Sequence, residues 1–89
     1  MPEIRISKHA RVQMDERGIT EEMVMDILNN PAQVIPEDPD KEIYQSIKHF
    51  SEEGRNFLVR VFVNIIKVPN LVITVYRTSK IEKYWRDEN

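Results

Sequence analysis

The sequence predicts an α+β domain, with an N-terminal helical hairpin packed on one face of a mostly antiparallel sheet of three to four strands. Three observations carry this. Residues 56–78 alternate at period two: Phe57, Val59, Val61, Val63 and Ile65 oppose Leu58, Arg60, Phe62, Asn64 and Ile66. Leu71, Ile73, Val75 and Arg77 then oppose Val72, Thr74, Tyr76 and Thr78, and the two β-branched runs joined through Lys67-Val68-Pro69-Asn70 read as a hairpin. Residues 7–31 carry helix punctuation instead, and helices that precede rather than alternate with strands give the segregated α+β class.

Taken in order, Ile4 and Ile6 form a short leading strand or anchor the entry to the first helix. Ser7 is an N-cap residue, and Lys8 to Arg17 is helical until Gly18 supplies a left-handed cap. Its apolar stripe is thin, with Ala10 and Met14 four apart. Thr20 caps a second helix with Glu21 and Glu22 in its first turn and a stripe of Met23, Val24, Ile27 and Leu28. Asn29-Asn30-Pro31 ends it, and Ile19 plugs the corner of the hairpin. Gln33-Val34-Ile35-Pro36 reads as a short edge strand, since Pro36 would break a central ladder. An acidic loop, Glu37-Asp38-Pro39-Asp40-Lys41, follows. Residues 42–50 alternate as a strand, Ser51-Glu52-Glu53-Gly54 turns into the central hairpin, and residues 79–85 form a short terminal helix whose Ile81, Tyr84 and Trp85 pack back on the sheet. The order is α-α-β-β-β-β, or β-α-α-β-β-β if Ile4–Ile6 pairs and the Val34 segment does not. The comb Phe57/Val59/Val61/Val63 with Leu71/Ile73/Val75 is expected to face the helices. The mixed comb with Arg60, Thr74 and Tyr76 is expected to lie partly open.

Eighty-nine residues make a single domain spanning 1–89, with no room for a deep cofactor cavity. Without cysteine there is neither a disulfide nor a thiolate metal site. No apolar run approaches the ~20 residues of a membrane span, and Met1-Pro2-Glu3-Ile4-Arg5 lacks a signal-peptide core, so the reading is cytoplasmic with no membrane partner. The net charge of −2 hides an asymmetry. Residues 15–53 carry three basic against eleven acidic side chains, whereas residues 54–86 carry seven basic against Glu82 alone. A basic C-terminal sheet beside an acidic middle suits an anionic ligand such as RNA, or else strands with solvated Lys and Arg.

Metal and cofactor chemistry has no motif here. His9 and His49 are forty residues apart, and the two glycines make no phosphate loop. RNA cleavage through the substrate's own 2′-hydroxyl needs neither. It requires a base, an acid and cations around the phosphate. Arg60, Arg77 and Lys80 can supply charge, and His9, Tyr76 or Tyr44 can move protons. Basic residues beside an aromatic on a sheet also make a stacking platform for unpaired bases.

The run His9-Ala10-x-x-x-Met14-x-Glu16-Arg17-Gly18-Ile19-Thr20, the helix ending in Asn30-Pro31, and the strand Thr74-Val75-Tyr76-Arg77 together resemble the DUF4258 domain family. That group looks like a branch of the RelE/BrnT-like toxin superfamily. The resemblance implies a RelE-like layout of two helices and a curved antiparallel sheet. It also implies metal-independent ribonuclease activity in some relatives, held in check by a small antitoxin encoded alongside. The motif positions are His9, Arg17, Gly18, Tyr76 and Arg77, and Gln13 stands where the pattern commonly has arginine.

Two functions follow as expectations. One is a toxin-like RNA-binding domain or endoribonuclease, with His9, Arg60, Tyr76 and Arg77 as catalytic residues, Arg11, Arg17, Lys48 and Lys80 on the RNA, and a cognate antitoxin as partner. The other is a non-catalytic module that binds a protein or a second copy of itself as a homodimer. Convergence of the basic residues on one concave face would favour the first. Pairing of Arg60 and Arg77 with acids of the helices would favour the second.

Overall fold

The computed structural model describes residues 3–87; Met1 and Pro2, which belong to the stretch read above for a leader, lie outside these, as do Glu88 and Asn89. The order is β1 (Ile4–Ile6), α1 (Lys8–Arg17), α2 (Glu21–Asn29), β2 (Gln33–Asp38), β3 (Lys41–Phe50), β4 (Arg55–Asn64), β5 (Asn70–Thr78) and α3 (Ile81–Tyr84).

The α+β class is as expected, but the sheet is larger and mixed. Five strands lie in the order β1-β5-β4-β3-β2. Strands β2 to β5 are antiparallel, whereas β1 runs parallel to β5 through Ile4↔Asn70, Arg5↔Leu71 and Ile6↔Val72. Both the Ile4 and the Val34 segments therefore pair, and neither expected order holds. The joining of β1 to β5 brings together segments more than sixty residues apart, which no local pattern signals. At the other edge, β2 tolerates Pro36 because only β3 pairs with it, with a register shift between Pro36 and Asp38. The acidic loop shrinks accordingly: β2 runs to Asp38 and β3 starts at Lys41, with the Asp40 N–H donating to the Asp38 carboxylate at 2.8 Å.

The helical hairpin forms as its punctuation dictates. Ser7 Oγ accepts from the Ala10 N–H at 3.0 Å, and Thr20 Oγ1 from the Met23 N–H at 3.1 Å. Gly18 adopts φ +66°, a conformation in which a side chain would be strained. Ala10 and Met14 are the buried residues of α1, while α2 buries Val24, Ile27 and Leu28, and Ile19 closes the corner. These pack on Val59, Val61, Val63, Val72, Val75 and Phe50 in one core.

The β4 comb thus faces the helices as expected, but the β5 comb does not. Phe62 pairs with Thr74 while Val63 pairs with Val72, so Ile73 is an extra residue in β5. This bulge reverses the parity beyond it, and the core takes Val72 and Val75 rather than Leu71/Ile73/Val75.

Beyond Val72, β5 has no strand on its outer side, because β1 ends at Ile6. Helix α1 lies along that edge, and Gln13 Oε1 accepts the Val75 N–H at 2.9 Å. This gives Gln13 a structural role. It satisfies a donor at a fully buried position, where an arginine has no acceptor to offer.

Candidate functional site

Four strands place four polar side chains in one row on the sheet face opposite the helices. Gln33 pairs with Gln45, Gln45 with Arg60, and Arg60 with Tyr76. The row is hydrogen-bonded throughout. Gln45 Nε2 donates to Gln33 Oε1 at 2.8 Å, Arg60 Nε to Gln45 Oε1 at 2.8 Å, and Arg60 Nη1 to Tyr76 Oη at 2.8 Å. Gln45 is fully buried and Arg60 is 8% exposed. Burying a guanidinium is unfavourable unless its donors are matched, and the two cross-strand neighbours match two of them.

The guanidinium is also ringed by aromatics. Its carbon lies 4.6 Å from the Tyr84 ring centre, 5.5 Å from Phe62 and 5.9 Å from Tyr76. Tyr84 meets Tyr76 edge to face at 6.4 Å. Among the described residues, no carboxylate forms an ion pair with Arg60. The Arg60 comb was expected to lie partly open; Thr74 and Tyr76 are half-buried and do so, whereas Arg60 itself is covered. Helix α3 and the residues after it cross this face, and Ile35, Ile43 and Leu58 are buried on it outside the helical core.

Arg77 is not part of this row. It pairs with Val59, a core residue, so it projects on the helical side of the sheet. There its guanidinium carbon lies 4.2 Å from the Phe50 ring centre and 4.4 Å from Phe57, and Nη2 donates to Glu53 Oε2 at 2.8 Å. That bond holds the Glu53 carboxyl below its ordinary value and raises Arg77 above its own. Its Nη1 is buried without a partner among the described residues.

The other expected site residues are also dispersed. His9 and Arg11 are exposed on α1, which packs on the helical side, and Arg11 donates to Glu21 of α2 at 2.9 Å. Arg17 lies 3.8 Å from Glu16 and donates to the Gln13 carbonyl. Lys48 pairs with Asp26 of α2 and depresses its pKa, chiefly through that hydrogen bond. Lys80 is exposed at the entry to α3. Of the four expected catalytic residues the structure therefore brings two together, Arg60 and Tyr76. His9 and Arg77 lie beyond the sheet: His9 is on α1, which packs on that side, and Arg77 is there because alternation sends adjacent strand residues to opposite faces. The charge pattern is also split. Arg77 pairs with an acid of the β3–β4 turn rather than of the helices, and Arg60 pairs with none among the described residues.

Gln33 and Gln45 were not anticipated as site residues, and Tyr84 was expected only to pack back on the sheet, not over Arg60. Gln45 had a signal, being a glutamine between Ile43 and Ile47 on one comb of β3, the position of a core residue. Tyr84 had none, since its position over Arg60 depends on where the chain turns after β5.

The family model described as a domain of unknown function, DUF4258, matches residues 6–77. The chain belongs to the DUF4258 family. No curated protein and no solved structure matches it. The DUF4258 match contains the whole Gln33–Gln45–Arg60–Tyr76 row, and α3 with Tyr84 lies beyond its end. Among the described residues of this DUF4258 domain, no helix is long and apolar enough to cross a membrane, and no three potential metal ligands of the His, Cys, Asp and Glu types form a group.

Proposed function

We propose that this DUF4258 domain binds RNA through the outer face of its sheet, as a RelE/BrnT-like toxin domain with an antitoxin protein as its partner. Arg60 is the phosphate contact, and Tyr76 is the stacking surface. The observation that supports this is the buried, hydrogen-bonded Arg60 with no carboxylate counter-charge among the described residues. A desolvated cation of this kind gains most from an anion, and phosphate oxygens accept from a guanidinium in the bidentate geometry that lysine lacks. Aromatic rings next to it suit unstacked bases.

For RNA cleavage, Arg60 supplies charge to the phosphate in the transition state and Tyr76 the nearest hydroxyl. His9 and Arg77 drop out of this reading, because the sheet separates them from Arg60. The test is anisotropy of a labelled single-stranded RNA, with a gel assay for cleavage of the same strand. Salt-sensitive binding is expected, and Arg60→Met should weaken it by about tenfold or more. Equal binding by wild type and Arg60→Met, or no binding at all, would remove the proposal.

The second reading, a non-catalytic protein-interaction module, is favoured by a different observation. Arg11, Arg17, Lys48 and Arg77 all face carboxylates of the domain itself. Val68 and Ile66 at the β4–β5 tip are 96% and 62% exposed, and Val34 is exposed on the edge strand β2. Light scattering for a homodimer, and a pull-down with the product of an adjacent reading frame, decide this reading. A monomer that retrieves nothing leaves it without support.

A further inference from the structure

Residues 80–87 occupy the ground that a ligand of Arg60 would need. Tyr84 covers the guanidinium at 4.6 Å, and Tyr76 contacts the same ring. The segment is held mainly through its main chain. Gln45 Nε2 donates to the Tyr84 carbonyl at 3.2 Å. Gln33 reads both peptide groups of Arg86, with Nε2 donating to its carbonyl and Oε1 accepting its N–H. The buried glutamines thus treat this segment as a bound peptide.

Its own contribution to folding is small. Helix α3 is four residues long, has no side-chain cap and buries no residue. A helix of one turn does not persist without tertiary support. Trp85 and Ile81 line an open groove of about 410 Å³ with Ile47, which stays 42% exposed. Water can replace each hydrogen bond that Gln33 and Gln45 make to it. Such a segment opens far more easily than the sheet beneath.

We infer that residues 80–87 form a displaceable strap that closes the Arg60 site. With the strap docked, Arg60 is matched by Gln45, Tyr76 and the Tyr84 ring and is closed to ligand. With the strap released, Gln33, Gln45, Arg60 and Tyr76 face outward as one polar row. The strap's place depends on the geometry alone, and only the identity of what displaces it rests on the RNA reading above.

The full chain carries its own reporter, since Trp85 is the single tryptophan and sits on the strap. Two variants loosen the strap without touching the helical core: Gln33→Ala removes both bonds to Arg86, and Tyr84→Ala removes the ring over Arg60. Trp85 emission and acrylamide quenching are measured for each. Modification of Arg60 by phenylglyoxal is followed by peptide mapping, with Arg5 as the exposed standard. In wild type Arg60 should react at least about tenfold more slowly than Arg5, a protection expected of a local opening equilibrium. In either variant Arg60 should react faster while Trp85 shifts to the red and quenches more readily. Unchanged Arg60 protection in both variants, or a wild-type Arg60 that reacts as fast as Arg5, would overturn the strap. Single-stranded RNA added to wild type should give the same red shift. If the variants behave as expected and RNA binds none of the proteins, the strap stands and the RNA reading falls. If RNA binds in a way that Arg60→Met abolishes while Trp85 stays unmoved, the strap is overturned.

Discussion

Arg60 and Tyr76 are direct cross-strand partners, and their side chains meet with Nη1 donating to Oη at 2.8 Å on the sheet face away from the helices. The next residue along β5, Arg77, lies under the opposite face against Phe50 and Phe57. Two arginines that look equivalent as candidates thus have unlike surroundings, and their substitution should have unlike effects.

Tyr76→Phe removes the acceptor of Arg60 Nη1 and little else. A charged donor left unmatched near burial is expected to lower stability by about 1–3 kcal/mol. Urea denaturation measures this, with the slope unchanged. A loss below a few tenths would mean that water already serves Nη1.

Arg77→Met removes a guanidinium stacked against two aromatic rings and an ion pair with Glu53. The partly exposed pair contributes little, and stacking on the rings about 0.5–1 kcal/mol each, so a loss of about 1–2 kcal/mol is expected. RNA affinity should stay within about twofold, since loss of a single charge acting from beyond the sheet is largely screened at physiological salt. A tenfold drop in affinity with intact stability would return Arg77 to the site.

Acid should weaken the fold through Glu53 and Asp26. Hydrogen bonds from Arg77 and Lys48 hold both carboxyls below their ordinary values of 4.5 and 3.8. A folded-state pKa below the unfolded one gives stability that is complete above the unfolded value and is lost as pH falls through the folded one. Melting temperatures of wild type and an Asp26→Asn/Glu53→Gln double variant, which keeps both cations and the ring stacking, should therefore differ at neutral pH and converge at a pH low enough to protonate both carboxyls of the wild type. Parallel curves down to that pH would exclude a contribution from these two pairs.

Gln13→Ala leaves the Val75 N–H without an acceptor at a buried position. The expected destabilisation is about 1–3 kcal/mol, with faster amide exchange at Val75. Exchange at Val75 as slow in the variant as in wild type would show that another acceptor takes the proton.

The helical hairpin was legible in the sequence because its signals are local. Ser7, Gly18 and Thr20 act within one turn of where they stand, and the stripe of Val24, Ile27 and Leu28 needs only its own period. The strands β3, β4 and β5 were legible for the same reason, as was Arg60 beside Tyr76, since both lie on the mixed comb. A strand at Ile4–Ile6 was one of two readings and a terminal helix packed on the sheet was expected, but the partner of neither end was legible. Pairing of β1 with β5, and closure of the outer face by α3, join segments far apart in sequence. Nothing in Ile4–Ile6 or in Tyr84 encodes its partner locally.

By itself the sequence determined the class, the hairpin caps, the core comb of β4 and the Arg60–Tyr76 pair, all products of short-range periodicity and backbone preference. Tertiary structure alone decided the rest. The bulge at Ile73 set which β5 residues enter the core, and long-range closure made Arg60 a covered cation rather than an open one. Alternation tells which residues share a face; what covers that face depends on contacts that only the folded chain creates.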